Sequence, residues 1–491
     1  MNGQFSAFAY AGFPLLVMTG TALLVLIVGL FTRHRAQWVL LLLSLAGIGV
    51  SFAASFLFWK NKLFAMTGMI TVDPFACFLY TVLLLIGFLV CLNHYVYFEK
   101  QKIDYPEIYS LTLFALSGMM LMVSTTHLLL FFLGLEVMSL AIYVLVGIRR
   151  ADWRSNEGAM KYFILGAMVA GFLLYGTALI YGTTGQLDMR NIAPNLLKSD
   201  DMKLFQIGAL LVVVSFSFKI AAVPFHFWTP DVYEGAPISV TGLMATGVKA
   251  AAFGALLRIT LPLLPFTDLR LGTLVQGLSI ATMIVGNLVA LYQTNLKRML
   301  AYSSIAHAGY ILVGVSAAFA GGKFHGDALG APLFYLFAYA AMTVGAFAVA
   351  SAIAGEREDR GEDSYYVGLA ARSPKLAAAM AVFMLALTGI PPTVGFAGKF
   401  YLFREAMHQQ LYGLVVVGVL MSAVSAYYYL RVVVNMYFGK KSEVPHRAQG
   451  TVVVKPLLAF VILFCIATTL YVGLAPTRYL QLSALSRIIS R

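Results

Sequence analysis

The amino-acid sequence predicts an all-α integral membrane protein with about fourteen transmembrane helices, arranged as two five-helix inverted repeats (helices 4–8 and 9–13) in which helices 7 and 12 are discontinuous. Three observations predict this. Of 491 residues, 60% are hydrophobic and 11% charged, where soluble domains carry roughly a quarter charged residues, and the mean hydropathy is +0.84. Apolar runs long enough to cross a bilayer, about 17 to 25 residues each, follow one another along almost the whole chain. Two of them, the seventh and the twelfth, contain both a proline break and a lysine: "VVVSFSFKIAAVPFHF" and "LALTGIPPTVGFAGKFYLF".

In order, the apolar runs are Phe13 to Phe31, Val39 to Trp59, Pro74 to Val96, Tyr109 to Val123, Leu128 to Gly147, Met160 to Tyr181 and Phe205 to Trp228. The second half continues with Ile238 to Leu261, Leu271 to Tyr292, Met299 to Ala320, Pro332 to Ala354, Leu376 to Phe403, Leu411 to Phe438 and Val452 to Leu474. The first reads as a span rather than a cleaved signal, since it lacks a basic start and leaves through "LIVGLFTRHR". The longest polar connections, near Gly182 to Asp201, Gly355 to Pro374 and Gly439 to Gly450, are too short to bury a core. The expected organisation is therefore one polytopic domain, 1–491: helices 1–3 in 1–105, the first repeat in 106–262, the second in 263–438, and helix 14 with the tail in 439–491.

The formal net charge of +13 does not point to nucleic acid, because in a membrane protein Lys and Arg gather in cytoplasmic loops. Connections after odd-numbered spans are the richer in them, Arg149, Arg150, Arg154, Lys297, Arg298, Lys440 and Lys441 included. That bias places the odd connections inside and both termini outside. Cys77, Cys91 and Cys465 are scattered through apolar runs without CxxC spacing and read as packing residues. There is no phosphate-binding GxxxxGK[ST], no GxGxxG and no HExxH, so no nucleotide, flavin or metal is expected in this chain. The remaining roles are transport, reception of a signal, or scaffolding.

Ionisable residues inside spans decide among these, because burying one costs at least ~2.5 to 3.5 kcal/mol. Glu136 ("LLLFFLGLEVMSLAIYVLVG"), Lys219, Lys249 ("GLMATGVKAAAFGALL") and Lys399 stand out. Lys249 and Glu136 have two to three turns of apolar helix on each side, so snorkelling to the headgroups does not rescue them. For these four a functional role outweighs the alternative, buried ion pairs that only fix packing. Lys161, near the start of its span beside the Arg149 to Arg154 connection, is as well explained by snorkelling.

Pro224 and Pro391-Pro392 each remove a backbone donor and clash with the preceding turn, and "TVGFAGK" loosens the second site further. Irregular backbone at membrane depth is tolerated only inside protein or against a wet cavity, so each break gives water and a lysine a polar place to meet. The breaks fall five spans apart; five is odd, so matching helices cross in opposite directions, the arithmetic of an inverted repeat typical of transporters. The match is worn: Lys219 precedes its proline, Lys399 follows its own, and the second half has no counterpart of Glu136. Burial disfavours a charged amine and a nearby carboxylate favours it. At an effective dielectric of 20, a Glu–Lys pair is worth about 4 kcal/mol at 4 Å and about 2 at 8 Å, comparable with the ~2.3 kcal/mol of moving one charge across 100 mV. A movement of a few ångströms could thus capture or release a proton.

"HFWTPDVYEGAP" (His226 to Pro237), "NLKRMLAYSSIAHAGY" (Asn295 to Tyr310) and "GIPPTVGFAGKFY" (Gly389 to Tyr401), with the mid-span Glu136, closely resemble the antiporter-like membrane subunits of respiratory complex I, most of all its subunit N, the bacterial counterpart of mitochondrial NADH dehydrogenase subunit 2. Lys399 fits N better than the sister subunit M, whose pattern has glutamate there, and no extended lateral helix follows Leu474. The resemblance implies a proton-translocating subunit of an NADH:quinone oxidoreductase in the bacterial inner membrane. It implies Glu136 and Lys219 as a coupled pair, Lys249 as central relay, and Lys399 as proton carrier of the second half-channel. It also implies that FMN, iron–sulfur clusters and quinone belong to partner subunits, with subunits K and M as neighbours.

Smaller expectations concern other polar residues. His226, just after the first break, either passes protons or bonds to freed carbonyls. His307, with Tyr302, Ser303 and Ser304, joins a hydrated path or marks the interface. Asp231 and Glu234 order a loop, the Glu356 to Asp363 run is a solvated connection, and Tyr427, Tyr428 and Tyr429 are packing and interface anchors. Two other classes compete: a subunit of a multi-subunit cation/proton antiporter, disfavoured by "WTPDVYEGAP", and a solute transporter, whose broken helices should carry small polar residues rather than lysines.

Overall fold

The computed structural model describes residues 12–31, 37–59, 63–65, 68–196, 201–260, 271–353, 366–439 and 452–486. The Glu356 to Asp363 connection and both chain ends lie outside them. The spanning helices are α1 (Phe13–Phe31), α2 (Gln37–Leu57), α3 (Pro74–Lys100), α4 (Glu107–Ser124), α5 (Leu128–Val146), α6 (Trp153–Thr184), α7 (Met202–Lys219) and α8 (Ile238–Ile259). They continue with α9 (Leu271–Ala290), α10 (Leu296–Ala318), α11 (Gly330–Ile353), α12 in two halves (Pro374–Thr388 and Val394–His408), α13 (Tyr412–Phe438) and α14 (Pro456–Leu474). Among the described residues thirteen helices are long and apolar enough to cross a membrane. The fourteenth, α12, falls short only because its break cuts it into two 15-residue pieces.

Helix ends follow local chemistry. The Asp73 carboxylate accepts from Ala76 N at 2.9 Å and Pro74 takes the first helical position of α3. Asn295 accepts from the backbone N–H of Lys297 and Arg298 to start α10. Gly185, at φ 66°, closes α6 in the left-handed conformation that glycine adopts freely.

One detail departs from expectation: a small antiparallel hairpin, β1 (Leu63–Ala65) with β2 (Ile70–Val72), interrupts the all-α pattern between α2 and α3. The expected break in α7 is present, with the first piece ending at Lys219, five residues before Pro224, and the chain resuming as a short helix, Thr229–Gly235.

Connections of like parity meet, as strict alternation across a bilayer requires. On the odd face, Arg154 pairs with Glu234 at 3.3 Å and Arg298 with Asp231 and Glu234 at 2.9 and 2.7 Å, joining connections 5–6, 7–8 and 9–10. Lys455, before α14, pairs with Glu99 at the end of α3. On the even face, Arg190 donates to the Gly68 carbonyl at 2.7 Å and Leu128 N to Leu187 O at 2.9 Å, while Ile70 bridges to Thr125 and His127 to Asp188. α8, α10 and α11 are almost wholly buried, whereas α1, α13 and α14 turn most of their surface outward. Apolar side chains such as Leu24, Val419 and Leu463 make up that outer surface.

Candidate functional site

The helix breaks position the first and last members of a buried polar line. At the first, α7 ends with Lys219, Ala221 takes φ 58°, and Val223–Pro224 is cis. The carbonyls freed there find other donors: Phe218 O accepts from the Trp228 indole at 3.1 Å, and Ser217 O from Ala222 N at 2.8 Å. Val223 N donates to Thr282 on α9 at 3.0 Å, tying the break to the second half of the chain.

Lys219, 2% exposed, donates to Ser139 Oγ at 2.8 Å and lies 3.5 Å from the Tyr143 hydroxyl, both on α5. Its ammonium also faces the rings of Tyr143 and Tyr162 at 5.6 and 5.3 Å, where the ring quadrupole attracts a cation. Glu136 lies one helical turn before Ser139. It is half-buried and interacts electrostatically with Lys219, whose direct hydrogen-bond partners are Ser139 and Tyr143. Glu136, Ser139 and Tyr143, at i, i+3 and i+7, share one face of α5, and Lys219 meets that face through Ser139 and Tyr143.

At the second break Gly389 adopts φ 91° and Pro391–Pro392 is cis. A side chain at Gly389 would meet Lys399 Cδ at 3.1 Å, and Gly395 is packed so closely on the Ala386 carbonyl that nothing larger fits. These glycines let Lys399, 5% exposed, fold back and donate to Thr388 O at 2.8 Å, an end carbonyl of the first half of α12. Its ammonium sits 4.6 Å from the centre of the Tyr310 ring.

Between them lies Lys249, at the exit of the π-helical turn Met244–Val248; such turns recur at functional sites. It donates to Ser304 Oγ at 2.5 Å and to the Ser304 carbonyl, with the Tyr339 ring 5.6 Å away. One turn along α10, His307 is bonded through both nitrogens, Nδ1 to Tyr335 Oη at 2.6 Å and Nε2 to Tyr429 Oη at 3.1 Å. Tyr429 also bonds Ser303 and neighbours Tyr428, whose hydroxyl donates to Asn287 Oδ1 at 3.0 Å; Asn287 Nδ2 donates to Tyr310 Oη at 3.2 Å. Phenols, hydroxyls and one imidazole thus connect the Lys249 region to the ring beneath Lys399. Toward Lys219, Tyr162 stacks on Trp228 at 4.4 Å, and Trp228 meets Tyr233 edge to face at 6.4 Å.

Two expected residues stand apart. His226 lies beyond the first break with Nδ1 lacking a hydrogen-bond partner, and no contact joins it to Lys219. Lys161 pairs with Asp231 at 2.7 Å and Glu157 at 2.8 Å at the odd-face surface. Asp231 and Glu234 order their loop as expected: shared between Lys161, Arg298 and Arg154, they clamp the short helix after the break to α6 and α10. Burial alone would raise the Asp231 carboxyl, but hydrogen bonds from Lys161 and Arg298 outweigh it and hold the group below its usual range. Tyr427 points outward as an anchor would, whereas Tyr428 and Tyr429 are buried members of the line, more than the packing expected of them.

Sequence reasoning passed over one buried pair. Arg258 on α8 grips Asp73 at 2.6 and 3.2 Å, both side chains at most 2% exposed. An arginine inside the apolar "AAFGALLRIT" was the available signal. All three cysteines are buried and unpaired. Among the described residues no three His, Cys, Asp or Glu side chains converge as metal ligands.

Comparison with known proteins agrees with this arrangement. Residues 125–425 match the profile of the family described as "NADH:quinone oxidoreductase/Mrp antiporter, TM". NADH-quinone oxidoreductase subunit N of Trichlorobacter lovleyi is 45% identical over 435 residues, 88% of each chain. A chain of respiratory complex I from Thermus thermophilus, solved with bound aureothin, superposes with a TM-score of 0.80 at 34% identity, covering 96% of this chain and 99% of that one. A chain of the Mrp complex from Dietzia sp. shares the fold, with a TM-score of 0.82 at 22% identity over 99% of this chain and 97% of its own. The protein belongs to the subunit N family of NADH-quinone oxidoreductases, within the wider antiporter-like membrane family.

Proposed function

We propose that this chain translocates protons in the membrane arm of an NADH:quinone oxidoreductase, driven by quinone reduction elsewhere in the complex. The observation that carries the reading is the row of buried groups between three lysines, two of them at helix breaks: hydroxyls, His307 and Asn287 lie between Lys249 and the Tyr310 ring beside Lys399, and the rings of Tyr162, Trp228 and Tyr233 lead from Lys219 toward the centre. One half-channel reaches Lys219 at the α7 break from the odd face. The other leaves Lys399 at the α12 break toward the even face, and Lys249 with His307 is the junction. Lys219 takes up a proton when Glu136 is near and gives it up when α5 shifts; doubling a 4 Å separation removes about 2 kcal/mol at an effective dielectric of 20. The two breaks, five spans apart, support the inverted repeat of helices 4–8 and 9–13.

The excess of Lys and Arg on the odd connections supports a cytoplasmic odd face in a bacterial inner membrane, with both termini periplasmic. The family supports subunits K and M as membrane neighbours, with FMN, iron–sulfur clusters and quinone in partner chains. The cation/proton antiporter reading is supported by the family profile, which covers both groups, and by a shared fold at 22% identity, whereas relatives at 38 to 45% identity are subunit N proteins.

Purification of the tagged chain from its native membrane decides between the two. It should bring down a large NADH-oxidising assembly, and reconstituted vesicles should acidify when NADH and quinone are supplied. Recovery with a small set of membrane subunits that exchange Na+ or K+ for protons without quinone would overturn the proposal.

A further inference from the structure

Beside the line from Lys219 to Lys399 lies a second group of buried polar atoms that it does not use. α3, α8 and α11 pack against one another. On them, His94 Nε2, Asn93 Oδ1 and Ser351 Oγ are buried without a hydrogen-bond partner. The other His94 nitrogen, Nδ1, lies 2.8 Å from Ser239 Oγ, at the odd-face end of α8. Buried polar groups are nearly always bonded, and orphans of this kind mark sites of ordered water.

The register of α8 against α11 is fixed at two points. A side chain at Gly242 would meet Phe347 Cβ at 3.3 Å, and the Lys249 ammonium lies 5.6 Å from the Tyr339 ring centre. The helices run antiparallel. One turn from the Gly242–Phe347 contact toward the odd face brings Ser239 level with Ser351, and one turn the other way brings Thr246 level with Thr343. The Tyr339 hydroxyl faces both Thr343 and Ser304, and Ser304 holds Lys249. The seam thus leads from His94, Ser239 and Ser351 toward the central lysine, and Phe347 stands between Ser351 and Thr343 on the same face of α11.

We propose that the seam between α3, α8 and α11 is a second hydrated access from the odd face to Lys249, with His94 and Ser351 holding water at its mouth and Phe347, pressed against Gly242, as its apolar gate. This rests on the reading of Lys249 as a proton carrier. With Phe347 in place the gap is dry, and protons stop, as at other hydrophobic constrictions. With the ring turned aside, water links Ser351 to Thr343. A proton passed along that water is taken by the unprotonated Lys249 amine, which hands one on through Ser304.

Two measurements test it in the assembled complex. Maps of the native complex by electron cryomicroscopy, fine enough to show water along the Lys219 to Lys399 line, should show water at His94 Nε2 and Ser351 Oγ; a dry seam there overturns the proposal. In vesicles, Phe347→Thr should raise the passive proton leak several-fold and lower the protons pumped per NADH, while Phe347→Leu should leave both near the native values. If Phe347→Thr fails to assemble, the maps decide. If it behaves like the native complex while Lys249→Met stops pumping, this access is wrong and the relay stands; if Lys249→Met pumps normally, the relay itself is wrong.

Discussion

The two helix breaks give their lysines different company. Lys219 ends its helix and reaches sideways to Ser139 on α5, with the carboxylate of Glu136 one turn away on that same neighbour. Lys399 follows its break and folds back to the Thr388 carbonyl of its own helix, over the face of Tyr310. The first amine therefore answers to a full charge on a separate helix, which movement can bring nearer or take away. The second answers to a backbone dipole and a ring quadrupole, which are fixed. Its charge state can change only with hydration or with charge arriving along the line from Lys249 and His307. The halves are alike in backbone and unlike in electrostatics, which under the proposed function makes the first the one to be driven and the second the one to follow.

The largest effects should come from removing either amine. Lys219→Ala and Lys399→Ala should each cut quinone-coupled pumping at least ~10-fold, because a positioned proton-transfer group contributes ~10²- to 10⁴-fold. NADH-driven vesicle acidification measures it, and a native rate for either variant takes that lysine off the path. Glu136 sharpens the contrast, since it serves the first break alone. Glu136→Gln should slow turnover more than Glu136→Asp, by a factor reflecting up to about 2 kcal/mol of lost interaction; equal losses in steady-state assays would show that its charge is not what matters. Lys161→Met should do less, since an exposed ion pair is worth about 0 to 1 kcal/mol; a turnover loss as large as that of Lys249→Met would place Lys161 in the line.

The smallest effect concerns pH. Asp231 is held below the ordinary carboxylate range, near 3.9, so the stability its clamp adds is present above that value and disappears only as pH falls through the lower folded one. Thermal unfolding of the assembled complex should then show the same pH dependence from 7 to 5 in the native chain and in Asp231→Asn, the two converging only in stronger acid. Convergence already near pH 6 would mean that the carboxyl is not so depressed.

Most of the fold was legible because lipid imposes one rule on every span, length and apolarity, and the breaks announce themselves through proline and glycine. The expected helix numbers held, and like-parity connections meet as alternation demands. The hairpin β1–β2 was not legible, because six short strand residues carry no period to read. Glu136, Lys219, Lys249 and Lys399 were visible as charges in apolar runs. What was hidden is what joins them. Ser139, Tyr335 and Asn287 are ordinary residues for a membrane helix, and only tertiary packing shows the first bonded to Lys219, the second to His307 and the third between Tyr428 and Tyr310. Arg258 and Asp73 neutralise each other across 185 positions, a pairing no local pattern contains.

The central claim is that the buried line conducts as one unit through its middle member. Lys249→Met keeps an unbranched side chain one atom shorter and removes its charge and its hydrogen bonds to Ser304. In vesicles containing the fully assembled complex, protons pumped per NADH oxidised should fall to near zero with the subunit composition unchanged; an unaltered ratio would contradict the account.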